Sequence, residues 1–162
     1  MATKDLSAYD KNSVPSACGM RFGIVVSEWN DPVTFNLMEG AMDTLLLHGA
    51  SRKDILIRYV PGSFELPLGA RFFAESGKVD AILCLGAVVR GGTPHFDYVC
   101  QGVTQGIVQV NQQYGIPVIF GVLTTDNEEQ AEQRAGGTLG NKGDEAAVAA
   151  IKMVALKRSF QS

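Results

Sequence analysis

The sequence has no apolar stretch approaching the roughly 20 residues that a membrane span needs. It carries little charge imbalance: 14 Lys and Arg against 17 Asp and Glu leave a net charge of −3 over 162 residues. Such a chain has no global electrostatic reason to bind nucleic acid or an anionic membrane, so any anion site must be local. Cysteine is scarce, and Cys18, Cys84 and Cys100 have neither CxxC spacing nor a nearby histidine. An odd, unpaired set argues against a disulfide framework and a structural zinc, and for a reducing, cytoplasmic setting. The start, MATKDLSAYD, has no basic patch followed by an apolar run and does not read as a secretory signal. Neither GxxxxGK[ST] nor GxGxxG occurs, which excludes a Walker P-loop and argues against a dinucleotide.

What is present is an ordinary globular composition, 46% hydrophobic and 19% charged, enough for one domain with a real core. Residues 1–17 are polar and aperiodic and read as an N-terminal arm that the core does not need; 18–162 read as a single domain. RFGIVVS begins a regular alternation. Asp31-Pro32 opens a helix, with Asp as N-cap and Pro at the first helical position, and Leu37, Met38, Ala41, Met42, Leu45 and Leu46 recur at helical spacing up to Gly49. DILIRYV (54–60) is a second strand and PGSFELPLGARFFAES a turn and short helix ended by Gly77. VDAILCLGAVV (79–89) is a third strand, buried on both faces, with Cys84 as a small core hydrophobe. A helix over 94–113 follows, then a strand over 117–125. Asp126 and Glu129 form a capping box for the next helix. GGTLGNKG is a glycine-rich break before a C-terminal helix over 144–158.

Near-continuous apolar strands alternating with helices predict a three-layer α/β/α sandwich on a four-stranded parallel sheet, flavodoxin-like in architecture. Ligands of such sheets bind beyond the carboxyl ends of the strands. Four segments stand there: Ser27–Asp31, Pro61–Glu65, Arg90–His95, and Thr124–Asp126 with Arg134 beyond. In the third, Gly91 and Gly92 let backbone approach a ligand, and Thr93 is placed to cap a helix whose first N–H groups can take an anion. A monophosphate cradle and a plain glycine-rich turn both fit this spacing. His95 sits in that helix's first turn, where an imidazole can move protons. His48, in LLLHGA, suits the negative end of a helix as a cation and needs no function. Trp29 and Phe64 either stack on a planar heterocycle or plug the end of the core. Glu65 is a helix N-terminal carboxylate or a ligand anchor. Arg134 pairs on its own helix, for instance with Glu132, or reaches a phosphate; Lys142 in GNKG is open in the same way.

FGIVVSEWND, VPGSFELPLGA, LGAVVRGGTPHFDYVC, GVLTTDNEEQAEQRAG and GNKGDEAAVAAIKM follow one another in the order and spacing of the 6,7-dimethyl-8-ribityllumazine synthases. The chain resembles that family over about residues 20–160. The resemblance implies an enzyme of the penultimate step of riboflavin biosynthesis. It condenses 5-amino-6-(D-ribitylamino)uracil with 3,4-dihydroxy-2-butanone 4-phosphate, releasing phosphate and water, with no cofactor and no metal. It implies a stacking aromatic at Trp29 and a pyrimidine- and ribityl-binding set of Ser63, Phe64, Glu65, Ala87, Val88 and Val89, with Phe120 and Lys142 in the same set. It assigns phosphate to Gly92, Thr93 and Arg134, and catalysis to His95. Phe120 matches a residue that the family supplies from an adjacent subunit.

The expected assembly is a homo-oligomer built on pentamers and closed into an icosahedral shell, with riboflavin synthase as a further candidate partner. The resemblance implies that the link from Gly136 to Gly143 decides between pentamer and shell, and its compact form here favours the shell; GVTQGIVQV (102–110) would allow close helix approach at a fivefold axis. The arm would extend a neighbour's sheet. Two departures stand out: Pro94 where many members have Thr, and no basic residue just before GNKG. A flavin- or pterin-binding module would share the aromatics but would not need His95 beside a phosphate site; a pure shell protein would need neither.

Overall fold

The computed structural model describes residues 5–162, so the first four positions of the expected arm lie outside the described residues. Four parallel strands form one sheet in the order β2-β1-β3-β4. They are β1 (Phe22–Ser27), β2 (Ile55–Val60), β3 (Ala81–Val89) and β4 (Val118–Thr125). Phe22 pairs with Ile55 on one side and Ala81 on the other, and Cys84 pairs with Phe120. Helices α1 (Val33–Leu47) and α5 (Lys142–Ser159) cover one face, and α2 (Leu66–Ser76) and α3 (His95–Tyr114) the other. This is the three-layer sandwich expected from the run of apolar strands.

The period-two alternation of each strand sorts its side chains between two cores. Phe22, Ile24, Val26, Leu83, Leu85 and Leu123 pack with α1 and α5. Val25, Ile82, Cys84, Val88 and Val122 pack with α2 and α3. Burial pushes the Cys84 thiol up to about 12, so it is an inert hydrophobe.

Several local expectations shift. Pro32, not Asp31, is the N-cap of α1, and no side chain bonds to that helix start. Pro94, not Thr93, is the N-cap of α3, because proline's fixed φ already suits the turn. The capping residue of α4 (Glu128–Gln133) is Asn127, whose side chain accepts from the N–H of Gln130, one place beyond the Asp126 and Glu129 box. GGTLGNKG is not a mere break: β5 (Ala135–Gly137) and β6 (Gly140–Asn141) form a small antiparallel hairpin. Gly102 and Gly106 face their own chain. A Cβ there would meet Phe64 at 2.9 Å and Pro67 at 2.7 Å, so these glycines bring α3 close to its own chain.

The segment read as an arm contributes to the core, since Val14 and Ala17 are buried in the α1–α5 cluster. Earlier residues lie along the same chain: Tyr9 Oη and His48 Nε2 share a 2.8 Å hydrogen bond. His48, the C-cap of α1, thus ties the N-terminal segment to that helix end. Partial burial, and then nearby Lys11, hold its pKa below the ordinary value, which favours the neutral ring.

Candidate functional site

Three of the four strand ends open into one cavity of about 450 Å³, a size suited to small-molecule ligands. Backbone bonds zip its first two loops together: Glu28 N–H donates to Val60 O at 2.8 Å and Trp29 N–H to Pro61 O at 2.9 Å. The carbonyl of Ala87, near the end of β3, ties in both. It accepts from Asn30 Nδ2 at 2.8 Å and from Ser63 Oγ at 3.2 Å. Asn30 has φ 67, a left-handed conformation that asparagine tolerates and that turns its amide inward. The loop framework is thus cross-braced by buried or half-buried hydrogen bonds rather than by long side chains.

Two glycines set the aromatic rings. A Cβ on Gly62 would lie 2.5 Å from Trp29 Cε3, and one on Gly102 would lie 2.9 Å from Phe64 Cε2. Both rings remain largely exposed, Trp29 at 67% and Phe64 at 61%, so neither plugs the core. With Tyr98, which is 72% exposed, they form an apolar mouth that water covers in the single chain. Glu65 does the local work of a helix start, accepting from Gly62 N–H at 3.0 Å, and still lines the cavity.

Of the residues singled out in the sequence, Trp29, Ser63, Phe64, Glu65, Ala87, Val88, Val89 and His95 line this cavity together. Gly92 and Thr93 sit in the exposed loop between Val89 and His95, with open space around both glycines of that loop. No side chain caps the start of α3, and although the Asp97 N–H donates to Pro94 O at 3.0 Å, the N–H groups of His95 and Phe96 precede the helical ladder, so the loop and helix start present donors to an anion. Arg90 braces the same loop. Its guanidinium reaches Asp126 at 3.1 Å and Asp97 at 3.4 Å and lies 4.2 Å from the centre of the Phe96 ring. The hydrogen bond to Asp126 is the main reason its pKa is raised.

Phe120, Arg134 and Lys142 lie elsewhere. Phe120 is on the edge strand β4, in a shallow groove with Phe96, Cys100 and Thr104. Arg134 follows α4 and donates to the carbonyl of Gln130 at 2.9 Å. Lys142 opens α5 and pairs with Glu145 at 2.6 Å. Among the described residues, the cavity lining therefore holds a carboxylate and a histidine but no lysine or arginine.

Four lining residues were not among the candidates of the sequence: Asn30, Gly62, Tyr98 and Val99. Tyr98 and Val99 stand three and four places after His95 and so share its helix face, a signal that was available. Asn30 carried only the weaker sign of an asparagine just past a strand.

A larger recess of about 830 Å³ lies between α1 and the hairpin. Its walls carry Asp5, Glu39, Asp43 and Asp144, a field that repels a phosphate. Among the described residues, no cluster of His, Cys, Asp and Glu is placed to hold a metal ion, and no helix is long and apolar enough to cross a membrane.

The family model for 6,7-dimethyl-8-ribityllumazine synthase matches residues 19–158. A 6,7-dimethyl-8-ribityllumazine synthase of Phocaeicola vulgatus is 60% identical over 160 residues, covering 99% of this chain and 95% of its own. One from Parabacteroides distasonis is also 60% identical, covering 94% of this chain and 96% of its own. One from Porphyromonas gingivalis is 57% identical, covering 97% and 98%.

Proposed function

The chain belongs to the 6,7-dimethyl-8-ribityllumazine synthase family, and from that premise we propose that the cavity beneath Trp29, Phe64 and His95 is its active site. The enzyme condenses 5-amino-6-(D-ribitylamino)uracil with 3,4-dihydroxy-2-butanone 4-phosphate, giving 6,7-dimethyl-8-ribityllumazine, phosphate and water in riboflavin biosynthesis. One observation carries the placement: two exposed rings, a histidine and an anion-ready helix start share a single cavity.

The chemistry asks for positioning more than for a strong nucleophile. The pyrimidine amine attacks the ketone, the carbinolamine loses water to an imine, phosphate leaves, and the ribitylamino nitrogen closes the ring on the resulting carbonyl with loss of a second water. Holding two small molecules in register supplies much of the acceleration. Trp29 and Phe64 sandwich the heterocycle, while Ser63, Glu65 and the backbone of Ala87, Val88 and Val89 anchor its polar edge and the ribityl chain. The loop of Gly92 and Thr93 and the start of α3 receive the phosphate. His95, in the first turn of that helix, moves protons between amine, carbinolamine and the carbon acid.

A phosphate ester inside this cavity lacks a cation from its own chain. We infer that Arg134 supplies it from a second copy, with Phe120 and Lys142 completing the substrate site across the same interface. Charge-assisted contacts then stabilise the phosphate as it leaves. Exposed Leu68 and Phe72 on α2 and Val108 on α3 offer apolar surface for that contact. The assembly is a cytoplasmic pentamer-based homo-oligomer, closed into an icosahedral shell that can take riboflavin synthase as partner. Incubating the purified protein with both substrates, and following lumazine fluorescence with phosphate release, tests the reaction. Equal amounts of the two products are expected; phosphate release without lumazine would contradict it.

A further inference from the structure

Arg134 and Lys142 flank the β5–β6 hairpin, and the N–H of Lys142 donates to the carbonyl of Arg134 at 2.8 Å. The two cations therefore leave adjoining positions of one ladder, and their separation follows the shape of the hairpin. That hairpin has little to hold it from within. Its strands span three and two residues, and Gly136 and Gly140 sit at φ 96 and 78. A short two-stranded ribbon is marginal alone, and glycine widens what it can sample.

Its shape is held from outside. On one side Asn141 Nδ2 donates to the carbonyl of Asn36 in α1 at 3.0 Å. On the other lies the N-terminal segment. Leu6 N–H donates to Leu139 O at 2.8 Å. Ser7 Oγ accepts from the N–H of Asn141 at 2.9 Å and donates to Asp144 Oδ2 at 2.6 Å. The other oxygen of Asp144 takes the Thr44 hydroxyl of α1 at 3.2 Å. A Cβ on Gly140 would sit 2.7 Å from Ser7 N and 2.9 Å from Leu6 N, so the segment is pressed onto the hairpin. The Ser7 hydroxyl straddles Lys142, bonding the residue just before it and the carboxylate two places after it. Alanine can make neither bond, whereas threonine can make both.

We propose that Ser7 is a positioning residue of the reaction, locking the β5–β6 hairpin so that Arg134 meets the phosphate-bearing substrate in a fixed geometry. This rests on the reading of Arg134 as the phosphate cation. Neither Ser7 nor Leu6 lines the substrate cavity, so the effect passes through the hairpin.

The test uses full-length Ser7→Ala, Ser7→Thr and Arg134→Ala, each substrate varied separately, with amide hydrogen exchange read over residues 135–143. Ser7→Ala should raise KM for the phosphorylated ketone about three- to tenfold, as expected for a lost hydrogen bond. The pyrimidine KM and kcat should stay within about twofold, and the Asn141 amide should exchange faster. Ser7→Thr should restore both readouts. Arg134→Ala should raise the ketone KM further than Ser7→Ala does. Faster exchange with an unchanged ketone KM overturns the proposal, as does an equal rise in both KM values or unchanged exchange. If Arg134→Ala leaves the ketone KM alone, the phosphate reading itself fails and the role of Ser7 with it.

Discussion

Replacing Gly62 with alanine adds one methyl group beneath the indole of Trp29. The backbone tolerates it, because Gly62 has φ −132 and ψ 176, an extended conformation open to any residue. The new Cβ would lie 2.5 Å from Cε3 and 2.8 Å from Cζ3 of the ring, against an ordinary contact of about 3.4–4 Å. One of the two must retreat by about 1 Å. The backbone is pinned by the Gly62 bond to Glu65 at 3.0 Å and by Trp29 N–H to Pro61 O at 2.9 Å. The indole, 67% exposed, is free to swing. The ring therefore moves and the fold does not. Stability should change by no more than about 0.5–1 kcal/mol, with a small gain possible from a stiffer unfolded chain. A well-placed aromatic pair contributes about 0.5–1.5 kcal/mol beyond area, so affinity for the pyrimidine should fall about three- to tenfold. Calorimetric titration with the pyrimidine substrate, alongside a thermal melt, reads both. An unchanged Kd would refute Trp29 as the stacking platform, and a collapse in Tm would refute the pinned backbone.

Three further outcomes follow from the same geometry. His95→Ala should lower kcat about 10²-fold, the low end for a general acid–base residue, while pyrimidine affinity stays nearly intact; an unchanged kcat would remove His95 from the chemistry. Fluorescence of Trp29, the only tryptophan, should be quenched by the pyrimidine or by riboflavin; Trp29→Phe should keep activity and Trp29→Ala lose affinity, since stacking needs a ring rather than an indole N–H. The folded state holds the His48 pKa below its ordinary 6.5, so the unfolded chain takes up a proton first on acidification. The stabilisation from neutral His48 is complete above 6.5 and is lost as pH falls through the folded value. Urea melts between about pH 5 and pH 7.5 should show this loss in the parent and a flatter profile in His48→Asn; identical slopes would contradict it.

Much of the fold was legible because its strands are β-branched apolar runs and its helices show periodic apolar faces. The N-caps slipped by one residue at Asp31-Pro32, Thr93-Pro94 and Asp126-Asn127, where two neighbours each satisfy the local signal and only the backbone path chooses between them. The β5–β6 hairpin escaped because its strands contain glycine rather than β-branched residues, and its pairing is stabilised by Ser7, more than 130 positions away in sequence. The same distance hid the role of the N-terminal segment, whose polar composition looked dispensable while Val14 and Ala17 were filling the core. At the site, Trp29, Phe64 and His95 could be placed by their strand ends alone. What the sequence could not show was which cation belongs to which cavity: Arg134 and Lys142 are in register with their motifs but lie apart from His95 in the folded chain.

That separation makes complementation the most direct measurement. His95→Ala and Arg134→Ala chains, each weakly active alone when the ketone is well below its KM, would be co-assembled from unfolded or co-expressed protein and assayed for lumazine formation at that ketone concentration. If each site takes His95 from one copy and Arg134 from its neighbour, random mixing of equal amounts restores intact pairs at about a quarter of the interfaces. The account predicts activity near that fraction of the parent. Activity no greater than the average of the two separate variants would contradict a site built from two copies.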